Sequence, residues 1–379
     1  MNFLKSEFKL ILLLFISWKT ALFIIAFIAI SYIPLAGKNF LGGGIEKYLS
    51  NPFLFAWANF DGEHYLSISQ IGYRGLEQAF FPIYPMLMNI LSKPFGGSIE
   101  NSILMGLFIS NIAFVLAMYF LYKLIKLDFP KEIAILTILL MLVFPTSFYF
   151  GAVYSESLFL LLSVLSFYFA RKDRWVIASL FGIAASATRI FGMLLLGALF
   201  LEAWQRKISL RKYFWIIFIP AGLIIYMFYQ WVTVSDPLAF YHLQKIVGPQ
   251  HESGITLMPQ VYLRYIKMLF SVDIANPIFQ TIVLEFFVGI LFFFLPIYGY
   301  LRKVRLSYLF FALTGFLLPT VQGSLSSVPR YVIVFFPSFL CLAILIKRLP
   351  LPLKAIIMLL SSVWLIAEAT LFLRGYWVA

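Results

Sequence analysis

Asp61, Glu63 and His64 fall within four residues of one another in the stretch "WANFDGEHYLSISQIGYRG", just beyond the first hydrophobic run of a chain that carries few charges anywhere. A carboxylate held at the mouth of a membrane, close to both water and the headgroups, can take a proton from a hydroxyl as a general base. The same residue at the start of a helix can instead cap it, its charge set against the helix dipole. If residues 61–70 are helical, Asp61, His64, Tyr65 and Ile68 share one face, and Glu63, Ser67 and Gln70 share another. Three more charges sit at or inside apolar runs: Glu156 in "AVYSESLF", Arg189 in "SATRIFGMLLL" and Arg330 in "SSVPRY". An ionisable group in such a place is costly enough to mark a functional candidate, and the planar fork of arginine suits a phosphate. Each also has a plainer reading, as a helix-end arginine snorkelling to headgroups or, for Glu156, as a carboxylate at a helix start.

The elements that position these groups are membrane helices. Of 379 residues, 62% are hydrophobic and only 12% are charged, with a mean hydropathy of +0.95; a soluble domain carries about 25% charged residues. Aromatic side chains make up 19% of the chain, 43 of them Phe, which suits lipid-facing and interfacial surfaces. The net charge of +13 comes from short clusters between apolar spans, so it reads as a topology signal with attraction to anionic lipid, and no nucleic-acid partner is expected. Cys341 is the single cysteine, which excludes a disulfide framework and a Cys-based metal site. The run from Leu10 to Tyr32 lacks a following small-residue cleavage site and reads as a retained first helix rather than a signal peptide.

A helix needs about 20 residues to cross a bilayer. Apolar runs near 8–33, 102–122, 132–150, 154–170, 213–233, 281–300, 307–321, 331–346 and 354–373 qualify or come close. The positive-inside rule puts Lys5 and Lys9, then Lys123, Lys126 and Lys131, then Arg171, Lys172 and Arg174 on the cytoplasmic side. The next basic cluster, Arg206, Lys207, Arg211 and Lys212, belongs there too, yet a single crossing over Trp175 to Leu201 would place it outside. Two short helices that turn near Arg189 resolve the conflict. The later clusters, Arg302, Lys303 and Arg305, then Lys347, Arg348 and Lys354, then also fall inside. This predicts about eleven helices with the amino terminus inside and the carboxyl terminus outside. Two long outer loops, 34–101 and 234–280, carry mixed charge with apolar residues at helical spacing, and interfacial helices are expected in them. No repeat or Gly/Ser linker divides the chain, so residues 1–379 are read as one integral membrane domain.

The run "FDGEHYLSISQIGY", followed by "AFFPIYPML", resembles the first luminal loop of the PIG-V-like mannosyltransferases, within the GT-C superfamily of polyprenyl-phosphate-sugar-dependent glycosyltransferases. "FPTSFYFGAVYSESLFLLL" resembles that family's second outer loop and next helix, and "SVPRYVIVFFPSF" its late Pro-Arg-Tyr segment. The three segments are collinear over most of the chain. The chain departs from the family pattern at Phe60, where a Trp commonly precedes the aspartate.

The resemblance implies an all-α, polytopic GT-C fold with about nine to eleven membrane helices. It also implies an inverting glycosyltransferase that moves a hexose, mannose before other sugars, from a polyprenyl or dolichyl phosphate carrier to an acceptor hydroxyl on the extracytoplasmic or luminal face. Asp61 becomes the catalytic base, and Glu156 a second acid that orients substrate or helps to hold a divalent cation. The metal is left open, since no third strong ligand accompanies them. The leaving lipid phosphate is already a good anion, so it calls for nearby positive charge rather than a strong general acid. Arg189 and Arg330 supply that charge, with His64, Tyr65, Tyr154 and Tyr331 placed around the donor. His64 could touch the donor sugar or cap Asp61, while His242 and His251 in the second outer loop could border the acceptor or simply be solvated. Pro82 and Pro85 are expected at the start of a loop helix. Glycolipid, polymer and protein hydroxyls all fit as acceptor, and the membrane would be the plasma membrane in a prokaryote or the endoplasmic reticulum in a eukaryote. A flippase for lipid-linked sugars is the opposing reading, and it calls for polar groups through the depth of the bundle. A third is a non-catalytic partner that keeps the fold.

Overall fold

The computed structural model describes residues 2–243, 256–320 and 323–378, with side chains from residue 6 onward; His251 lies outside the described residues. Among these residues the chain is helical and contains no strand. Its longer helices are α1 (Asn2–Tyr32), α2 (Asp61–Ile71), α3 (Ile83–Ser92), α4 (Ile99–Ile125), α5 (Lys131–Leu142), α6 (Glu156–Arg171) and α7 (Trp175–Ser186). They continue with α8 (Leu194–Gln205), α9 (Ala221–Val234), α10 (Met258–Ser271), α11 (Ile278–Leu301), α12 (Leu306–Thr320), α13 (Phe336–Lys347) and α14 (Leu351–Leu373). Five segments are long and apolar enough to cross a bilayer unaided: Ser6–Tyr32, Ile99–Ile125, Leu210–Val234, Ile278–Leu301 and Leu351–Leu373. Shorter apolar helices pack among them, and the protein is a multi-pass membrane protein.

The local reasons are ordinary helix chemistry. Ser98 caps α4, its hydroxyl accepting from the Asn101 amide at 3.2 Å, as an N-cap serine should. Prolines occupy the first turn of α10, α13 and α14, where the missing N–H costs nothing. Pro82 is the N-cap residue of α3 and Pro85 lies in its first turn. In the bundle, α4 packs on α6, α6 on α7, α8 on α12, α5 on α13, and α1 against both α14 and α4.

The turn expected within residues 175–201 is present. The helix breaks after Ser186, Arg189 is extended (φ −154°, ψ 150°), and a 3-10 turn at Ile190–Met193 leads into α8. Both ends of this hairpin return to the same end of the bundle: Arg206 Nη2 lies 2.9 Å from Asp173 Oδ2 and Arg206 Nη1 donates to the Ala170 carbonyl at 3.0 Å. Gly192 makes the apex possible, because a Cβ there would come within 2.3 Å of the Ser186 amide nitrogen.

That return end is tied by charge. Asp128, between α4 and α5, accepts from Arg305 Nη2 at 2.7 Å and Arg171 Nη2 at 2.9 Å. Glu202, fully buried on α8, meets Arg171 Nε at 3.2 Å and accepts from the Ser307 hydroxyl at 2.7 Å. Burial alone would raise the Asp128 carboxyl, but the two guanidinium groups outweigh it and hold the pKa at about 2.

Candidate active site

At the other end of the bundle the acids and arginines meet. Asp61 begins α2, and the N-cap position is taken by Phe60, which makes no side-chain cap. The Asp61 carboxylate turns instead to Arg330, with Oδ2 2.7 Å from Nη2. Arg330 Nε lies 3.6 Å from Glu156 Oε1, and the same oxygen is 2.6 Å from Arg189 Nη1. Four residues from four separate parts of the chain thus form one alternating row: acid, arginine, acid, arginine. Asp61 is the open end of that row, its side chain 30% exposed against 1% for Glu156.

Each member is held by its own segment. Glu156 is the first residue of α6, where the positive end of the helix favours a carboxylate. Arg189 is the apex of the hairpin, and it also donates to the Ser155 hydroxyl at 3.3 Å. Arg330 sits on the short helix Val328–Val332, whose N-cap, Ser327, has a positive φ of 60°. The Glu285 carboxylate holds that bend by accepting from the Ser327 amide at 2.9 Å, and its other oxygen accepts from Tyr265 at 2.7 Å. Thr146 donates to the Pro329 carbonyl at 2.7 Å, fastening the same helix to the 3-10 turn Ser147–Gly151.

Aromatic rings wall the row. The Arg330 guanidinium lies over Tyr331, Tyr149 and Tyr154 at 5.1, 5.6 and 5.7 Å, and that of Arg189 over Phe191 and Tyr331 at 5.7 and 5.9 Å. Such faces stabilise a cation that has left water. Tyr65 shares a hydrogen bond with Ser155 at 2.9 Å, and the Tyr154 hydroxyl donates to the Asn59 carbonyl at 2.8 Å, linking the two acid-bearing segments. His64 stacks on Phe80 at 4.8 Å. Next to it, burial pushes the Glu63 carboxyl up, partly offset by His64.

The loop before Asp61 is tightly anchored. Asn59 is fully buried; its Oδ1 accepts from the Gly42 amide at 3.0 Å and its Nδ2 donates to the Phe372 carbonyl at 2.9 Å. Phe60 follows with φ 56° and ψ −119°, an unusual backbone for a side chain of that size, and Phe372 and Trp377 pack against its ring, each at 5.9 Å. Strain of this kind persists only where the surroundings over-determine it.

Of the residues singled out in the sequence, Asp61, Glu156, Arg189, Arg330, Tyr65, Tyr154 and Tyr331 are brought together, with His64 on the same helix as Asp61. His242 is elsewhere, exposed at the end of the short helix Ala239–His242 and paired with Asp236 at 2.7 Å, a contact that lowers the Asp236 carboxyl. Sequence reasoning passed over Tyr149, Ser155 and Asn59. The first two lie inside "FPTSFYFGAVYSESLF", and Asn59 two residues before the aspartate. A divalent ion between Asp61 and Glu156 fits poorly, because the Arg330 guanidinium already stands between the two carboxylates. No group of three or more His, Cys, Asp or Glu suited to a metal occurs among the described residues. What the row does offer is donors and acceptors: although in ionic contact, Arg330 Nε and both Glu156 oxygens make no aligned hydrogen bond.

The fold has a counterpart among solved structures. In its fold the chain is similar to ArnT from Cupriavidus metallidurans, solved bound to undecaprenyl phosphate, with a TM-score of 0.54 at 13% identity over 91% of this chain and 62% of that one. The chain therefore spans under two thirds of that protein's length. An oligosaccharyltransferase from Archaeoglobus fulgidus, tethered to an acceptor peptide, aligns with a TM-score of 0.49 at 13% identity, over 96% of this chain and 55% of that one. No curated protein sequence matches. Residues 3–214, more than half of the chain, match the family model described as Mannosyltransferase (PIG-V). The chain belongs to the mannosyltransferase (PIG-V) family.

Proposed function

We propose that the protein is a membrane glycosyltransferase that moves a hexose, mannose by its family, from a polyprenyl or dolichyl phosphate to an acceptor hydroxyl, with inversion at the anomeric carbon. The acceptor oxygen forms the new bond to that carbon as the bond to the carrier phosphate breaks, and Asp61 takes the acceptor's proton. Arg330 carries the reading: one guanidinium touches the base at 2.7 Å and still has an Nε with no aligned hydrogen bond. A carboxylate oxygen turned to an arginine is not free to accept from an acceptor hydroxyl. An arriving lipid phosphate competes for Arg330 and loosens that contact, so that the base is released when the donor is in place. Arg189 backs Arg330 through Glu156, and the tyrosine walls exclude water from the leaving group. Undecaprenyl phosphate, seen in the similar ArnT fold, is a ligand of the class this row would bind.

The Asp61 end is assigned to the extracytoplasmic or luminal side, since the basic clusters lie at the other end. The whole chain acts as one domain on this reading. Among the described residues the buried ion pairs gather at the two ends of the bundle, which speaks against carriage of the sugar across the membrane.

The test is transfer of labelled mannose from a short polyprenyl-phosphate mannose into the lipid and protein fractions of membranes containing the wild type or Asp61→Asn. Transfer by the wild type that the variant abolishes at equal expression is the expected result, and the labelled fraction identifies the acceptor class. Equal transfer by both would remove Asp61 as the base. No transfer by either, with native acceptors present, would overturn mannose as the sugar.

A further inference from the structure

Glu285 lies in the apolar run "TIVLEFFVGILFFF" of α11, is 4% exposed and takes no part in the charged row. A carboxylate kept in a membrane helix is costly and marks a functional candidate. Its partners are neutral donors: Oε1 accepts from the Ser327 amide at 2.9 Å and Oε2 from the Tyr265 hydroxyl at 2.7 Å, and among the described residues no cation pairs with it.

Ser327 is the hinge of the segment that carries Arg330. Its backbone stands at φ 60° and ψ 8°, in the left-handed region that only glycine enters freely. Its carbonyl accepts from the Arg330 and Tyr331 amides, each at 3.0 Å, and the turn around it is closed by the Val328 amide on the Leu325 carbonyl at 2.9 Å. One residue therefore gives its N–H to Glu285 and its C=O to Arg330. Two contacts steady the approach to this turn. Arg264, beside Tyr265 on α10, donates to the Gly323 carbonyl at 2.8 Å. Leu325 is fully buried against Gly289, one turn along α11 from Glu285, where a Cβ would come within 2.9 Å of Leu325 Cδ1. Residues 323–327 are thus held by α10 and α11 together, and Glu285 is the polar pin between them.

We propose that Glu285 is a positioning residue for Arg330: it fixes the bend at Ser327 and so aims the guanidinium at Asp61, 2.7 Å away, with Tyr265 tying the pin to α10. Its consequence for transfer rests on the role given to Arg330 in the proposed function. Glu285 acts through the Ser327 peptide and not by its own charge, so an uncharged acceptor in its place should serve.

The test compares Glu285→Leu, which removes both acceptors, with Glu285→Gln, which keeps one for the Ser327 amide and can donate to the Tyr265 hydroxyl. The first readout needs no transfer. In nuclear magnetic resonance spectra of the full-length protein in detergent, with isotope-labelled arginine, the Arg330 Nε–H signal is identified by its absence in Arg330→Ala. That group lies over three tyrosine rings, so its signal should shift in Glu285→Leu and hold its place in Glu285→Gln. Tyr265→Phe loosens the carboxylate without removing it and should shift the signal by less in the same direction. An unmoved signal in either folded protein, Glu285→Leu or Tyr265→Phe, would overturn the inference. In steady-state transfer from a short polyprenyl-phosphate mannose, Glu285→Leu should raise the donor KM about fivefold, the worth of one hydrogen bond, and Glu285→Gln should recover most of it. A protein that is merely less stable loses active molecules, which lowers apparent kcat and leaves KM unchanged. In an Arg330→Ala background Glu285→Leu should raise KM no further; an additive effect would overturn the inference. A shifted Arg330 signal with wild-type KM and kcat would keep the pin and refute instead the role of Arg330 in transfer.

Discussion

On the proposed mechanism Arg330 does two things, restraining Asp61 before the donor arrives and holding the phosphate afterwards, and Arg330→Ala separates them. At 2.7 Å the Coulomb attraction to Asp61 is about 6 kcal/mol at an effective dielectric of about 20. Desolvation of both groups takes much of that back. Asp61 is 30% exposed and Glu156 keeps Arg189, so the loss of stability should not exceed about 3 kcal/mol, at the low end of the range for breaking a buried pair. The variant should therefore fold, with a lowered thermal midpoint in detergent. Its donor KM should rise about tenfold or more, since hydrogen bonds to a charged group are worth about 1.5–3 kcal/mol. Because the phosphate gains charge as it leaves, kcat should fall as well, by about 10²-fold or more, as for loss of an oxyanion-hole donor. Arg330→Lys keeps the charge but not the fork and should recover only part of both. The assay is steady-state transfer from a short polyprenyl-phosphate mannose at saturating acceptor. A folded Arg330→Ala protein with wild-type KM and kcat would refute both roles.

Two further perturbations test the frame around the site. The depressed Asp128 pKa of about 2, against about 3.9 for a free aspartate, contributes about 2 kcal/mol of stability that is present above pH 4 and lost as pH falls towards 2; thermal midpoints of wild type and Asp128→Asn should thus differ at pH 7 and converge on acidification, and curves that stay parallel from pH 7 to pH 3 would exclude the charge lock. Gly192→Ala should spread the hairpin apex, because the new Cβ meets the backbone at Ser186; a cost of about 1–3 kcal/mol with loss of transfer is expected, and an unchanged thermal midpoint with full activity would mean that the apex adapts.

Much of this architecture was legible in the chain because apolar runs and basic clusters are local signals. The hairpin at Arg189 followed from charge alone, since Arg206 had to return to the side of Arg171. The four members of the charged row could each be singled out, because an acid or an arginine in an apolar run is conspicuous wherever it sits. Their pairing could not be read. Whether Arg330 meets Asp61, Glu156 or a headgroup depends on how α6, the hairpin and the Val328–Val332 helix pack, and nothing local encodes that. For the same reason Arg171 and Arg305 read as topology markers, although in the folded protein they are the partners of Asp128 and Glu202. Tyr149 and Asn59 were hidden differently: in a chain so rich in aromatics a ring facing a guanidinium looks like any other, and a buried asparagine shows its use only once its hydrogen-bond partners are known.

The unequal lengths of the helices bear on how the proposed lipid-borne substrate would be met. α6 has 16 residues and α1 has 31, about 24 and 46 Å at 1.5 Å per residue, against a hydrocarbon layer of about 30 Å. Glu156, and with it the charged row, marks the top of the short helix, while α1 and α4 run on past that level. On the proposed topology the row lies towards the outer edge of the hydrocarbon layer, inside a rim of protein. Drawing a lipid chain upwards out of hydrocarbon costs about 0.8 kcal/mol per methylene, and a site placed at this height avoids that cost, because the carrier phosphate arrives while its tail stays in the bilayer. Binding energy from the arginines then need not work against the membrane and can act on the phosphate as it departs.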